Sequence, residues 1–305
     1  MKELLLLLSG YPHRDSKLCE LIKGVDWHKA IELINAHGIT ALAYYNIMES
    51  GCLIPENKLK ILEHGHMQSV VRNTWLTHQW KQVNTILNHE GIRHILLKGM
   101  ALEHTLYGSR GLRQMNDNDI LIERKNALKA WYLLQENGFK PSLLKSPLHK
   151  KILLDIGKHL PCLYKDGYAV EIHHSVDPFN GAREISVSGT RAFILSEENQ
   201  LNYLINHFYG HIISGHAQIR QYADIMLLDK NTSVIMPEEF IMNPDQSGNR
   251  KAVYKNHFRS IPTGSRLRYL IGDIFPSATW MRNRYKSNWL LYYPVRVGKI
   301  VWILP

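Results

Sequence analysis

Apolar residues recur at three- and four-residue intervals through the first ninety positions, and this period predicts helices. Leu4 to Leu8 reads as a buried first helix. Asp26 is placed to cap a helix over Trp27 to Ile34, with Gly38 just past its end, and a further segment from Thr40 to Met48 closes near Gly51. Pro55 then opens a long pattern carrying Leu59, Ile61, Leu62, Val70, Val71, Trp75, Trp80, Val83 and Leu87 as far as Gly91.

After Gly91 the period shortens to two. Residues 93–97 form a short strand-like run, Lys98-Gly99 breaks it, and Met100 to Tyr107 reads as a helix closed by Gly108. A basic loop over 109–113 leads to an apolar strand that begins at Asp117 and continues through Ile120-Leu121-Ile122, followed by a helix over 126–137 stopped by Gly138. Alternating runs at 159–164 and 168–174 flank Lys165-Asp166-Gly167, a hairpin signal that puts Glu171 in mid-strand. Ser196 begins another helix, a further helical stretch passes through Tyr222 to Leu228, and 243–264 has the composition of a linker. The expected fold class is α+β, a small mixed sheet flanked by helical regions. The expected organisation is a helical region 1–90, a sheet core 91–180, a helical region 181–242 packing on it, and a C-terminal segment 243–305.

The chain has 305 residues, and its hydrophobic and charged fractions are those of a globular protein. Its net charge of +10 is concentrated at one end: from residue 245 onward eleven Lys and Arg face two acids, Asp245 and Asp273. With Trp280, Tyr285, Trp289, Tyr292, Tyr293 and Trp302 interleaved, this segment could follow a nucleic-acid backbone or an anionic membrane surface, or form a helical subdomain with an aromatic core. Three widely spaced cysteines without a Cys-x-x-Cys pair indicate neither a disulfide framework nor a zinc knuckle, and fit a reducing compartment. The apolar run at the N-terminus is too short for a signal peptide and lacks a cleavage site, so a cytoplasmic location is expected.

The candidate chemistry sits in the sheet core. Asp117 and Asp119 are two apart on a strand, so their carboxylates share a face and repel one another unless a cation lies between them. Glu171 is a third strand-borne carboxylate, and three such groups suit one or two magnesium ions. Gly99 at a strand-to-helix turn allows close approach of a phosphate to backbone N–H groups, and Lys98 adds a positive charge. His173 shares the face of Glu171 and is placed to support it, whereas His174 points away. His207 and His211, four apart on a helix, have spacing for zinc but no identifiable third ligand.

Leu97-Lys98-Gly99, Tyr107-Gly108, Gly111-Leu112-Arg113, Asp117-Asn118-Asp119 with its apolar strand, and Glu171-Ile172-His173 occur in the order seen in one bacterial family. The chain resembles the uncharacterised nucleotidyltransferases of the superfamily whose palm is like that of DNA polymerase beta, most strongly over 90–175. His207, His211 and Tyr222-Ala223-Asp224 also look like that family. The resemblance implies a magnesium-dependent transfer of NMP from an NTP, ATP among them, to a hydroxyl or phosphate acceptor such as RNA or a small molecule. It implies that Asp117, Asp119 and Glu171 are metal ligands and catalytic residues. Lys98, Gly99 and Arg113 are then the nucleotide-binding residues. Met100-Ala101 stands where many superfamily members carry Gly or Ser, and Asn118 replaces an apolar residue on the buried side of its strand. The alternatives are a non-catalytic RNA-binding or membrane-surface protein on the same scaffold, and a toxin-like enzyme acting on tRNA.

Overall fold

A computed structural model describes residues 1–11, 17–175, 179–244 and 250–303. Helices α1 (Lys2–Ser9), α2 (Lys17–Leu21), α3 (Trp27–Ala36), α4 (Thr40–Ser50) and α5 (Glu56–His89) precede the first strand. Then come β1 (His94–Leu96), α6 (Lys98–Thr105), β2 (Asp117–Glu123), α7 (Arg124–Glu136), β3 (Lys140–Pro141), α8 (Pro147–Lys150), β4 (Leu163–Lys165) and β5 (Tyr168–Ser175). A hairpin, β6 (Arg183–Val187) and β7 (Thr190–Ile194), leads to α9 (Glu197–Ser214), α10 (Ile219–Leu228) and α11 (Glu238–Met242). The chain ends in α12 (Arg250–Ser260), α13 (Thr263–Ile274), α14 (Ala278–Tyr285) and α15 (Tyr292–Ile303). The strands form one mixed sheet in the order β3-β4-β5-β2-β1-β7-β6, so the fold is α+β with helices flanking the sheet.

The local signals act as their chemistry requires. Asp26 accepts from the backbone N–H groups of His28 and Lys29 at the start of α3, and Ser196 accepts from Asn199 N at the start of α9. Asp166 (φ +53°) and Gly167 (φ +85°) turn the β4–β5 hairpin with both central residues left-handed, as a two-residue connection favours. Along α5, Leu62, Leu76, Trp80, Val83 and Leu87 are buried, while Ile61, Val71 and Trp75 lie on the exposed face.

Three expectations are corrected. Residues 183–194 are strands inside the stretch read as helical, and their signal was available: apolar alternation on both sides of Ser188-Gly189, which turns with φ of +47° and +79°. The 243–264 linker is largely helix α12 and the start of α13; its residues 245–249 lie outside the described residues. Cys19 and Cys52 are joined in a disulfide with Cα atoms 5.1 Å apart, leaving Cys162 as the unbridged cysteine. Two cysteines 33 residues apart carry no spacing signature, since helix packing brings them together.

The chain divides into two compact units. The first comprises Met1–Gln82, Ile95–Asp119 and Phe179–Gly248. Its core is apolar, built from Leu4, Leu5 and Leu8 of α1 with Leu42, Leu102, Phe208 and Ile225. One polar network crosses it. The Arg113 guanidinium meets Asp224 of α10 through Nε at 2.8 and 2.9 Å and through a second nitrogen at 2.7 Å. Tyr107 Oη donates to the same carboxylate at 2.9 Å. Glu103 of α6 accepts from Gly111 N and Arg113 N, which folds the intervening loop back onto the helix. Gly111 has φ +72°, and a Cβ there would meet the Val70 backbone at 2.9 Å, so the loop admits no larger residue.

The second unit comprises Val83–His94, Ile120–Pro178 and Asn249–Pro305. Helix α7 packs on β5, and α13 packs on α8, where Ile152, Ile261 and Tyr269 form a small core. The C-terminal segment is helical, and its described aromatic rings are engaged by its own unit. Tyr285 and Tyr292 stack at 4.2 Å, Arg296 lies 4.9 Å from the Trp280 ring, and Arg282 lies 5.2 Å from that of Trp289. Nothing is described of the Trp302 side chain. Among the described residues, no helix is long and apolar enough to cross a membrane.

Removing one partner of a buried ion pair leaves the other charge without compensation. Asp224→Ala should therefore cost about 3–5 kcal/mol in urea unfolding, and the Arg113→Met/Asp224→Leu double substitution should cost less than the single one. Equal stability of Asp224→Ala and the parent would show that the pair does not anchor the loop.

Glu103 supplies a pH test. Burial pushes its carboxyl up to about 7 from an ordinary value of 4.5, against the opposing pull of the Arg113 and Gly111 N–H groups. Between those values the folded chain retains a proton that the unfolded chain has released. This contribution to stability is full below about pH 4.5 and is lost as pH rises toward 7. Glu103→Gln should flatten the decline between pH 5 and 7.5 by about 2–3 kcal/mol, measured by urea unfolding at each pH. Parallel pH profiles for both proteins would refute the assignment.

Candidate active site

The turn from β1 into α6 brings Lys98 onto Asp119. Leu97 N donates to Asp119 O at 3.0 Å, which ties the end of β1 to the start of β2. Lys98 adopts φ +46°, a left-handed conformation that costs a non-glycine residue on the order of 1 kcal/mol or more. In that conformation its Nζ donates to Asp119 Oδ1 at 2.7 Å, with side chains 12% and 5% exposed. The ammonium partly offsets the desolvation of the carboxylate.

Gly99 is buried, and its lack of a side chain is needed for packing. A Cβ at this position would come within 2.7 Å of Met115 Cγ, and Met115 is itself buried. Met100 turns inward and its sulfur accepts from Thr77 Oγ1 at 3.7 Å, so this residue is core. Asn118, also buried, finds partners on α5: its amide donates to Leu76 O and Gln79 Oε1, both at 2.9 Å. That resolves the burial of a polar residue between the two aspartates. Asp117 is half-buried at the start of β2.

Arg113, expected at the nucleotide phosphates, has its guanidinium on Asp224 and is 7% exposed. Tyr107 and Asp224, two positions of the family-like pattern, are its partners; sequence alone gave no reason to connect them. Tyr107 hydroxyl ionisation is pushed well up, first by burial and then by the Asp224 charge, which keeps it a donor. Arg220 donates to Gln114 O at 2.7 Å beside this network, and Gln114 Oε1 accepts from Thr40 N at the start of α4.

In the second unit, Glu171 stands in mid-strand with a side chain 18% exposed. Cys162 Sγ donates to its Oε1 at 3.1 Å, and the Nε2 atoms of His159 and His173 each lie 3.6 Å from its Oε2. His173 shares the Glu171 face as the strand period requires. His174 is on the other side, 3.5 Å from Arg124, and burial pushes its imidazole down. His207 and His211 meet at 3.0 Å on α9.

No curated protein gives a match to this chain. Two solved structures resemble part of it. One is a nucleotidyltransferase-like protein from Thermotoga maritima, described as putative, with 17% identity over 43% of this chain and 83% of that one, and a TM-score of 0.32. The other is an antigenic nucleotidyltransferase-like protein from Paracoccidioides brasiliensis, with 15% identity over 60% of this chain and 86% of that one, and a TM-score of 0.34. At these scores neither superposition carries an argument about residues. The sequence profile described as uncharacterised nucleotidyltransferase matches residues 23–255, which include the Lys98 turn, both strand aspartates, Glu171 and Asp224. The chain belongs to this nucleotidyltransferase family.

Proposed function

We propose that the protein is a magnesium-dependent enzyme that transfers NMP from an NTP to a hydroxyl or phosphate acceptor. The observation that carries this reading is the Lys98–Asp119 pair: a cation already seated on a strand carboxylate, 2.7 Å away, at the turn where a helix begins. The donors of the first unit fit magnesium, because Asp117 and Asp119 offer carboxylate oxygens, and magnesium selects oxygen ligands. When bound, the metal would polarise the phosphates and lower the charge repulsion that opposes attack.

The residues of the chain supply the rest. The first N–H groups of α6 would bind the terminal phosphates. Lys98 holds Asp119 before substrate arrives and would set a positive charge beside a bound phosphate. Arg113 acts at one remove, fixing the loop that leads into β2. The acceptor oxygen attacks the α-phosphorus, its proton passes to a carboxylate of the site, and the bond to the bridging oxygen breaks with pyrophosphate leaving.

Each α-labelled NTP, incubated with magnesium and acceptor fractions from a cell extract, should yield labelled acceptor and pyrophosphate. Asp119→Asn should reduce this at least about 100-fold, the loss of roughly 3 kcal/mol of transition-state stabilisation. Equal signal from both proteins would remove the catalytic assignment.

A further inference from the structure

Glu171 is surrounded by donors that magnesium does not choose. His159, Cys162 and Glu171 each bring one ligand atom within 4.8 Å of the others, and the Nε2 of His173 lies 3.6 Å from the same carboxylate. We propose that His159, Cys162 and Glu171 form a binding site for a thiophilic divalent cation of the zinc class, with water in the fourth position.

The spacing suits such an ion. Nitrogen, oxygen and sulfur ligands held ~2.0–2.3 Å from a tetrahedral centre stand roughly 3.3–3.5 Å apart. Here Cys162 Sγ is 3.1 Å from Glu171 Oε1, and His159 Nε2 is 3.6 Å from Oε2. With the three ligand atoms all within 4.8 Å of one another, closing on an ion takes side-chain shifts of roughly 1 Å. The softness of the donors then separates this ion from magnesium, since thiolate and imidazole favour zinc and its neighbours.

The second observation concerns the orientation of His159. Its Nδ1 lies 2.7 Å from Leu160 O, an acceptor only, so Nδ1 carries the proton. In the neutral ring, Nε2 is then a lone pair facing a carboxylate, an arrangement that calls for a positive charge between them. An Nδ1–H bonded to a backbone carbonyl is also the usual support for a histidine that binds metal through Nε2. The backbone holds the donors in place: His159 bridges His173 across the strands, and Leu160 N donates to Ile172 O at 2.9 Å. The His159 side chain is 36% exposed, which leaves a route from solvent. On binding, the Cys162 thiol proton leaves for solvent and the thiolate takes its place on the ion.

Cobalt(II) reports on the site without reference to activity. The full chain, cleared of metal by chelation and with the Cys19–Cys52 disulfide intact, is titrated with cobalt chloride. The expected result is one equivalent bound, with visible bands of tetrahedral cobalt, a near-ultraviolet thiolate-to-cobalt band, and displacement by zinc. Cys162→Ser should abolish the ultraviolet band, and His159→Gln should weaken binding roughly tenfold or more. Circular dichroism of each variant checks folding, and either variant alone suffices. Absence of tetrahedral bands at one equivalent, or an ultraviolet band that survives Cys162→Ser, would overturn the proposal. Cobalt binding with no nucleotidyl transfer under any condition would leave the metal site standing and sink only the enzymatic reading.

Discussion

The buried pairing of Arg113 with Asp224 is the constraint on which the first unit's site depends. Its guanidinium and carboxylate are 8% and 1% exposed, so neither charge could be tolerated there alone. The pair joins the loop before β2 to α10, far away in sequence, and Tyr107 closes the remaining valence of the carboxylate. Glu103 fastens the same loop from α6. The position of Asp117 and Asp119 therefore depends on a polar knot whose members come from three separate stretches of chain. Apolar packing around it supplies most of the stability, but it is non-directional; the ion pair sets which loop meets which helix.

This explains how much was legible in the sequence. Caps, turns and strand periods are local, and Asp26, Ser196 and Asp166-Gly167 act through neighbours a few residues away. The Asp117-x-Asp119 spacing was legible for the same reason, as was the shared face of Glu171 and His173. The Arg113–Asp224 contact spans 111 residues, and the Cys19–Cys52 bridge spans 33. No period or spacing encodes such contacts. A basic residue in a glycine loop invites assignment to phosphate, and only the folded arrangement reveals its carboxylate partner. The β6–β7 hairpin is a different case: its alternation was in plain view and was overridden by the helical pattern that follows it.

The turn at Lys98 shows how packing and chemistry share residues. Met115 fills the space against Gly99, and Met100 sits beneath with its sulfur on Thr77. Met100 is thus part of a core, supported by a long helix that also satisfies Asn118. Backbone strain at Lys98 is tolerated because the ammonium reaches Asp119 from that conformation. An ammonium on a buried strand carboxylate reduces the electrostatic cost of holding that charge in the folded chain.

Glu171 poses the converse problem. A carboxylate flanked by two histidines and a thiol can be satisfied by protons, with imidazolium partners and a thiol donor, or by a cation that takes His159, Cys162 and Glu171 as ligands. The two states differ in where the protons are. A metal needs neutral imidazole and thiolate, so the donors give up their protons when it binds. The Nδ1–H of His159, directed to Leu160 O, serves either state, but it also holds Nε2 toward the carboxylate whether or not that nitrogen carries a proton. The backbone thus fixes the direction of this donor for either occupant.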